Sequence, residues 1–316
     1  MGIGKFGFAC AALAITGMGA MAGMGMAAEA RTLDPNVPED AVEISKRLQC
    51  GEQDGQPAVY YWSGRAYSRV RGERDRHLFN LEGMNIRQCV SVTDPERGTG
   101  YRQVSREIML YTDPETGEVL REWENPWTGE TVEVMHVAND PVNMRAPNFP
   151  VTRDGSPYQI STYRRIGDWV LIPFEVPLFY MNPLGGDYQE YVGNMYQAME
   201  IFDFAANADE ILDSEVNTAY PSVSWVRVAA WLPWMRMRSR DGQMIFNAVG
   251  AKLRGGYDEL PEILRNEIAA SYPEYNAPPP GDDARPNATT WTVFRQMIDA
   301  QRAAEGESAP SDGHSE

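Results

Sequence analysis

The stretch from Trp123 to Asn143 holds the densest set of side chains with acid–base or hydrogen-bonding chemistry and no simple core role. Read as one strand, Thr131 to Ala138 alternates Val132, Val134 and His136 on one face with Thr131, Glu133, Met135 and Val137 on the other. With the valine face inward, His136 points to the interior near the strand end, just before Asn139, Asp140 and Asn143. An imidazole beside a carboxylate makes a general base near neutral pH. Asp140 would orient His136, and the amide of Asn139 or Asn143 would act as oxyanion donor. The same residues also serve without catalysis, with Asn139 and Asp140 forming an Asx-type turn before Pro141 and His136 bonding a backbone carbonyl.

Upstream, Arg106 and Glu107 are adjacent on an expected strand, so they take opposite faces. Arg106 goes with Val104, Ile108 and Leu110, and Glu107 with Ser105, Met109 and Tyr111. One of the two charges must face the interior, where it needs an opposite charge or a ligand. Glu107 is the candidate acid and Arg106 a candidate binding group. Trp123, Asn125, Trp127, Trp231 and Trp234 complete the candidate binding set, because tryptophan offers a large apolar wall with a polar handle. The alternative is that these aromatics fill a core.

Other chemistries lack their residues. The chain has 316 residues with three histidines and three cysteines, Cys10, Cys50 and Cys89, too few and too scattered for a zinc ribbon or a His-rich metal site. There is no Gly-x-Ser-x-Gly elbow, His-Glu-x-x-His, phosphate-binding loop or dinucleotide fingerprint. The expectation is a protein without metal or other cofactor. A net charge of −17 repels a phosphate backbone, so nucleic acid is not an expected partner.

Lys5 followed by an apolar run from Phe6 to Ala28 reads as a secretory signal peptide over residues 1–30, with Ala28-Glu29-Ala30 as the first-choice cleavage site and Gly25-Met26-Ala27 as the second. Its removal takes one Lys and one Glu, so the excess negative charge is unchanged. The expected location is periplasmic or secreted, with no stable membrane insertion after cleavage. An oxidising compartment permits Cys50 and Cys89 to pair; two separate buried thiols are the alternative.

The positioning elements are mostly strands. Turns at Asp94 to Gly98, Asp113 to Gly117 and Asn125 to Gly129 each place Pro early and Gly late. Between such turns lie apolar and aromatic runs, including Val59 to Val70, His77 to Val92, Tyr101 to Thr112, Tyr196 to Phe204, Trp225 to Met237 and Met244 to Leu253. About ten antiparallel strands are expected, with Pro233 marking an edge or bulge. The expected fold is mainly β, an antiparallel meander closing into a lipocalin-like barrel or a highly curved sheet. Two C-terminal helices follow, over 258–270 and 291–304, the second capped by Thr290. Residues 31–304 read as one domain and 305–316 as an unstructured tail.

Several strings are distinctive: Ser105-Arg106-Glu107 to Leu110-Tyr111, Asp113 to Leu120, Trp123 to Glu130 and Val137 to Asn143. With Trp231 to Met235, Tyr257 to Pro261 and Trp291 to Phe294, they resemble the domain of unknown function 1838 family over roughly residues 40–298. The resemblance implies a single domain and transfers no catalytic residue. From the residues, two functions compete. One is a cofactor-independent lyase, isomerase or hydrolase acting on a small apolar or aromatic molecule. The other is a noncatalytic carrier of such a molecule. The sequence leaves enzyme status and subunit number open.

Overall fold

A computed structural model describes residues 31–185 and 189–305. The expected leader over residues 1–30 and the tail from 306 to 316 lie outside the described residues. From Arg31 onward the contacts form one compact unit.

Among the described residues, eleven strands and four α-helices follow the order α1 (Pro38–Gln49), β1 (Ala58–Arg69), β2 (Arg76–Asp94), β3 (Gly98–Thr112), β4 (Glu122–Glu124), β5 (Thr131–Glu133), β6 (Val137–Asn139), β7 (Arg164–Ile166), β8 (Trp169–Met181), β9 (Met195–Asn207), α2 (Ala208–Leu212), β10 (Ser222–Ala229), β11 (Gln243–Lys252), α3 (Glu262–Ser271) and α4 (Thr290–Glu305). Nine strands make one antiparallel sheet in the order β6-β3-β2-β1-β11-β10-β9-β8-β7, and β4 and β5 form a separate pair. The end strands β6 and β7 are not paired with each other, so the expected barrel closure is not found among the described residues.

Local chemistry explains the boundaries. At the β2–β3 turn, the Asp94 carboxylate accepts the N–H groups of Glu96 and Arg97, and Gly98 takes φ 88°, a left-handed conformation that costs glycine least. Helix α1, absent from the sequence reading, starts with Pro38, carries Glu39 and Asp40 in its first turn and Lys46 and Arg47 in its last, and buries Ile44 and Leu48. Its C-terminal carbonyls are capped from the sheet: the buried Lys252 ammonium donates to the Arg47 and Cys50 oxygens and, at 2.6 Å, to Thr218 Oγ1. At α4 the cap is Thr289 rather than Thr290. Thr289 Oγ1 accepts Thr292 N–H at 3.1 Å while Thr292 Oγ1 accepts Thr289 N–H at 2.8 Å.

The expected strand Trp225 to Met237 stops at Ala229, and Pro233–Met235 form a 3-10 turn. The expected strand Thr131 to Ala138 is interrupted between β5 and β6. Cys50 and Cys89 are joined by a disulfide with Cα atoms 5.6 Å apart, tying the end of α1 to β2.

Both faces of β3 are covered. Ile108 and Leu110 pack with Leu260, Leu264 and Ile268 around α3. On the opposite face Met109 and Tyr111 join Phe79, Trp231, Trp234, Phe246 and Trp291 in the largest apolar cluster. Each fully buried aromatic removes about 150–250 Å² from water, worth roughly 4–6 kcal/mol.

Candidate functional site

Cross-strand register assembles one cavity on the inner face of the sheet. Glu107 on β3 is level with Asn85 on β2, which is level with Tyr60 on β1. One row further along, Met109 meets Gly83, and Gly83 meets Trp62. On the far side Trp225 pairs with Phe202, and Arg227 with Glu200. These side chains, with Trp291 of α4 among the others, line a cavity of about 320 Å³. Residues of β3 and β6 at one end of the sheet and of β8 and β9 toward the other thus face the same space.

The Trp62 wall exists because its cross-strand neighbours have no side chain. Trp62 pairs with Gly83 on β2 and Gly250 on β11. A Cβ on Gly83 would lie 2.3 Å from Trp62 Cε2, so the indole rests against the Gly83 backbone.

Ionisable groups line this mostly apolar space. Glu107 accepts a 2.9 Å hydrogen bond from Asn139 Nδ2 on β6 and, among the described residues, has no cation within ion-pair distance. Burial pushes its carboxyl above the ordinary glutamate range, and the Glu200 charge adds to this against the opposing Asn139 bond and the Arg227 and Arg87 charges. Across the cavity, Arg227 holds Glu200 at 2.9 Å and donates to the Tyr196 hydroxyl at 3.0 Å. Arg87 donates through Nε to Asn85 Oδ1 at 2.7 Å, and its guanidinium lies over the Tyr60 ring at 4.7 Å.

Of the sequence candidates, Glu107 and Asn139 line the cavity; His136 and Asp140 do not. His136 falls in the break between β5 and β6, so the alternation that aimed it inward does not apply. It is 5% exposed, and its Nδ1 accepts the Tyr111 backbone N–H at 3.1 Å while its ring stacks on Tyr111. This covers the edge of β3 just ahead of the start of β6. Burial, reinforced by the Arg121 charge, lowers its pKa to about 4, so it is neutral at pH 7.

Arg106 faces away from Glu107, as alternation requires. Its Nε lies 3.0 Å from Asp140, and Arg285 holds the same carboxylate at 2.7 Å. The proposed grouping of His136, Asp140 and Glu107 is therefore split over separate environments. Asn143 is structural, taking the Ser105 N–H at 3.0 Å and donating to the Asp283 carbonyl at 3.2 Å.

The tryptophan candidates pack rather than line. Trp234 meets Phe79 at 5.7 Å and Trp123 at 6.0 Å, and Trp127 meets Trp231 at 5.1 Å between ring centres. Asn125 clamps this cluster, donating to the Met235 carbonyl at 3.0 Å and accepting the Trp127 N–H at 2.9 Å. Sequence reasoning did not assign Arg87, Asn85, Arg227 or Glu200 to the site. Strand alternation within β2 and β10 carried the signal, since each places a charge among inward-facing residues.

Among the described residues no group of three or more His, Cys, Asp and Glu side chains could hold a metal ion, and no helix is long and apolar enough to cross a membrane. No curated protein matches the chain. Among solved structures, the attachment invasion locus protein Ail of Yersinia pestis aligns at 4% identity over 63% of this chain and 98% of its own, with a TM-score of 0.18. So low a score carries no argument about fold or function. Residues 55–298, which run from the start of β1 into α4 and hold the whole cavity lining, match a family described as protein of unknown function (DUF1838), and the chain belongs to that family.

Proposed function

We propose that the chain is an exported, cofactor-independent enzyme of lyase, isomerase or hydrolase type. Its substrate is a small apolar or aromatic molecule held in the cavity. Glu107 acts as the acid and Asn139 is its positioning residue. The carrying observation is Glu107 itself, a desolvated carboxyl at a cavity wall, fixed by one amide and lacking an ion-pair partner. Such a group keeps its proton to higher pH than an ordinary glutamate, which brings it closer to the pH at which acid catalysis is efficient. The cavity lining from both ends of the sheet supports a highly curved sheet that wraps the ligand.

Export is supported by the apolar leader and by the Cys50–Cys89 bridge, which suits an oxidising compartment. The guanidinium of Arg31, the expected first residue of the mature chain, grips Asp40 at 2.6 and 2.7 Å. Recovery of a chain beginning at Arg31 from the periplasmic or extracellular fraction tests this. A full-length chain in the cytoplasm would refute it.

A noncatalytic carrier is the second reading, favoured by the aromatic walls of Trp62, Trp225 and Phe202. Native mass spectrometry of the protein from its own host identifies the retained molecule. Incubation of that molecule with wild type and Glu107→Gln then separates the readings. Turnover by wild type that falls at least 100-fold in the variant supports the enzyme. Unchanged release by both supports the carrier.

A further inference from the structure

We infer that the cavity takes an anionic ligand, an aromatic or apolar carboxylate, and that the Arg87 guanidinium receives its charged end. This rests on the reading of the cavity as a ligand site.

Arg87 and Arg227 line the same cavity but differ in how their charge is met. Arg227 is neutralised by Glu200 at 2.9 Å. Arg87 has only neutral partners: the Asn85 side-chain oxygen at 2.7 Å, the Gln49 side-chain oxygen at the end of α1, and the face of Tyr60. These hold the guanidinium plane and leave Nη2 without a protein acceptor. No Asp or Glu among the described residues lies within ion-pair distance of it. Glu107, level with Asn85 across β2 and β3, is the acid whose charge it feels, yet that carboxyl bonds Asn139 instead. A half-buried cation at a cavity wall without a counter-charge is unfavourable unless something else supplies one.

The charge inventory agrees. Arg87, Arg145 and Arg227 line the cavity against Glu107 and Glu200, so the lining is cationic inside a chain whose net charge is −17. This local reversal of sign selects for an anion where the protein as a whole repels one. The Nη2 group left over by Asn85 and Gln49 can donate a charge-assisted hydrogen bond to a carboxylate oxygen. Beyond it, Trp62, Trp225 and Phe202 provide surface for the remainder of the molecule, and about 320 Å³ accommodates a small ligand.

The test compares 2-naphthoate with its neutral isostere 2-naphthamide, titrated calorimetrically into the full chain, wild type, Arg87→Gln and Arg87→Lys. Wild type should bind the naphthoate at least tenfold more tightly than the amide. Arg87→Gln should bring the ratio close to one with the amide affinity unchanged, and Arg87→Lys should recover part of the preference. Equal affinities in wild type, or a preference that persists in a folded Arg87→Gln, overturn this inference and leave the cavity reading standing. If neither compound binds wild type, the cavity reading fails and this inference with it. Should Arg87→Gln unfold, the wild-type ratio decides alone.

Discussion

Asn139 and Glu107 are register partners across the β3–β6 pair, and the Asn139 amide donates to a Glu107 carboxyl oxygen over 2.9 Å. The bond places the carboxyl at the cavity wall and occupies one of its two oxygens. Glu107→Gln preserves an acceptor for Asn139 while removing the titrating proton. It should abolish turnover of the native ligand and retain its binding.

The same variant has a pH signature. The Glu107 carboxyl ionises above the ordinary value of 4.5 in the folded chain, so the unfolded chain loses its proton first as pH rises. The folded state therefore loses stability from about pH 4.5 upward until the raised value is passed. Each pH unit between folded and unfolded ionisation corresponds to about 1.4 kcal/mol. Denaturant melts of wild type and Glu107→Gln should coincide near pH 4 and diverge toward pH 7, with the variant more stable. A variant less stable at pH 7 would contradict this.

His136 predicts the opposite slope. Its pKa is held at about 4, below the ordinary 6.5, so protons bind the unfolded chain first as pH falls. The stability it contributes is complete above pH 6.5 and disappears as pH falls toward 4, by roughly 3 kcal/mol at most. His136→Ala should remove that acid sensitivity and leave the Tyr111 N–H without its acceptor, costing about 1–3 kcal/mol at pH 7. Ligand turnover per folded molecule should be unaffected, and a loss of turnover would restore His136 to the site.

The bridge between Cys50 and Cys89 closes a loop with a sequence separation of 39. The chain-entropy relation gives roughly 4 kcal/mol for such a loop. Guanidinium melts with and without reductant should show a loss of that order. A Cys50→Ser, Cys89→Ser double variant should match the reduced wild type and be indifferent to reductant.

Gly83→Ala tests the cavity wall. The added methyl group falls within the Trp62 ring, so the indole must move. A cost of about 1–3 kcal/mol and weaker ligand binding are expected, measured by melts and titration. Wild-type affinity in this variant would show that Trp62 does not contact the ligand.

Much of this architecture was legible because its signals are local. The Asp94 and Asp113 turns bind their own backbone N–H groups, so Pro early and Gly late identified them without knowledge of the sheet. Alternation at Arg106 and Glu107 correctly required one charge on each face, although which was inward depended on α3 covering the Arg106 side. The break at Val134 to His136 was not legible. There the β3 edge changes partners, with Leu120 donating to the Tyr111 carbonyl and His136 accepting its N–H, a relation set by residues far apart in sequence. Helix α1 carries a local signal of its own, in Pro38, its acidic first turn and its basic last turn, ahead of the strand-rich region.

The contact between Trp62 and Gly83 shapes one wall of the cavity. Lying against bare backbone, with glycine also beside it on β11, the indole presents its other surface as a smooth plate. If the cavity is the ligand site proposed above, a flat ring system can lie parallel to that plate over its whole face, whereas a puckered or branched skeleton of the same mass meets less of it.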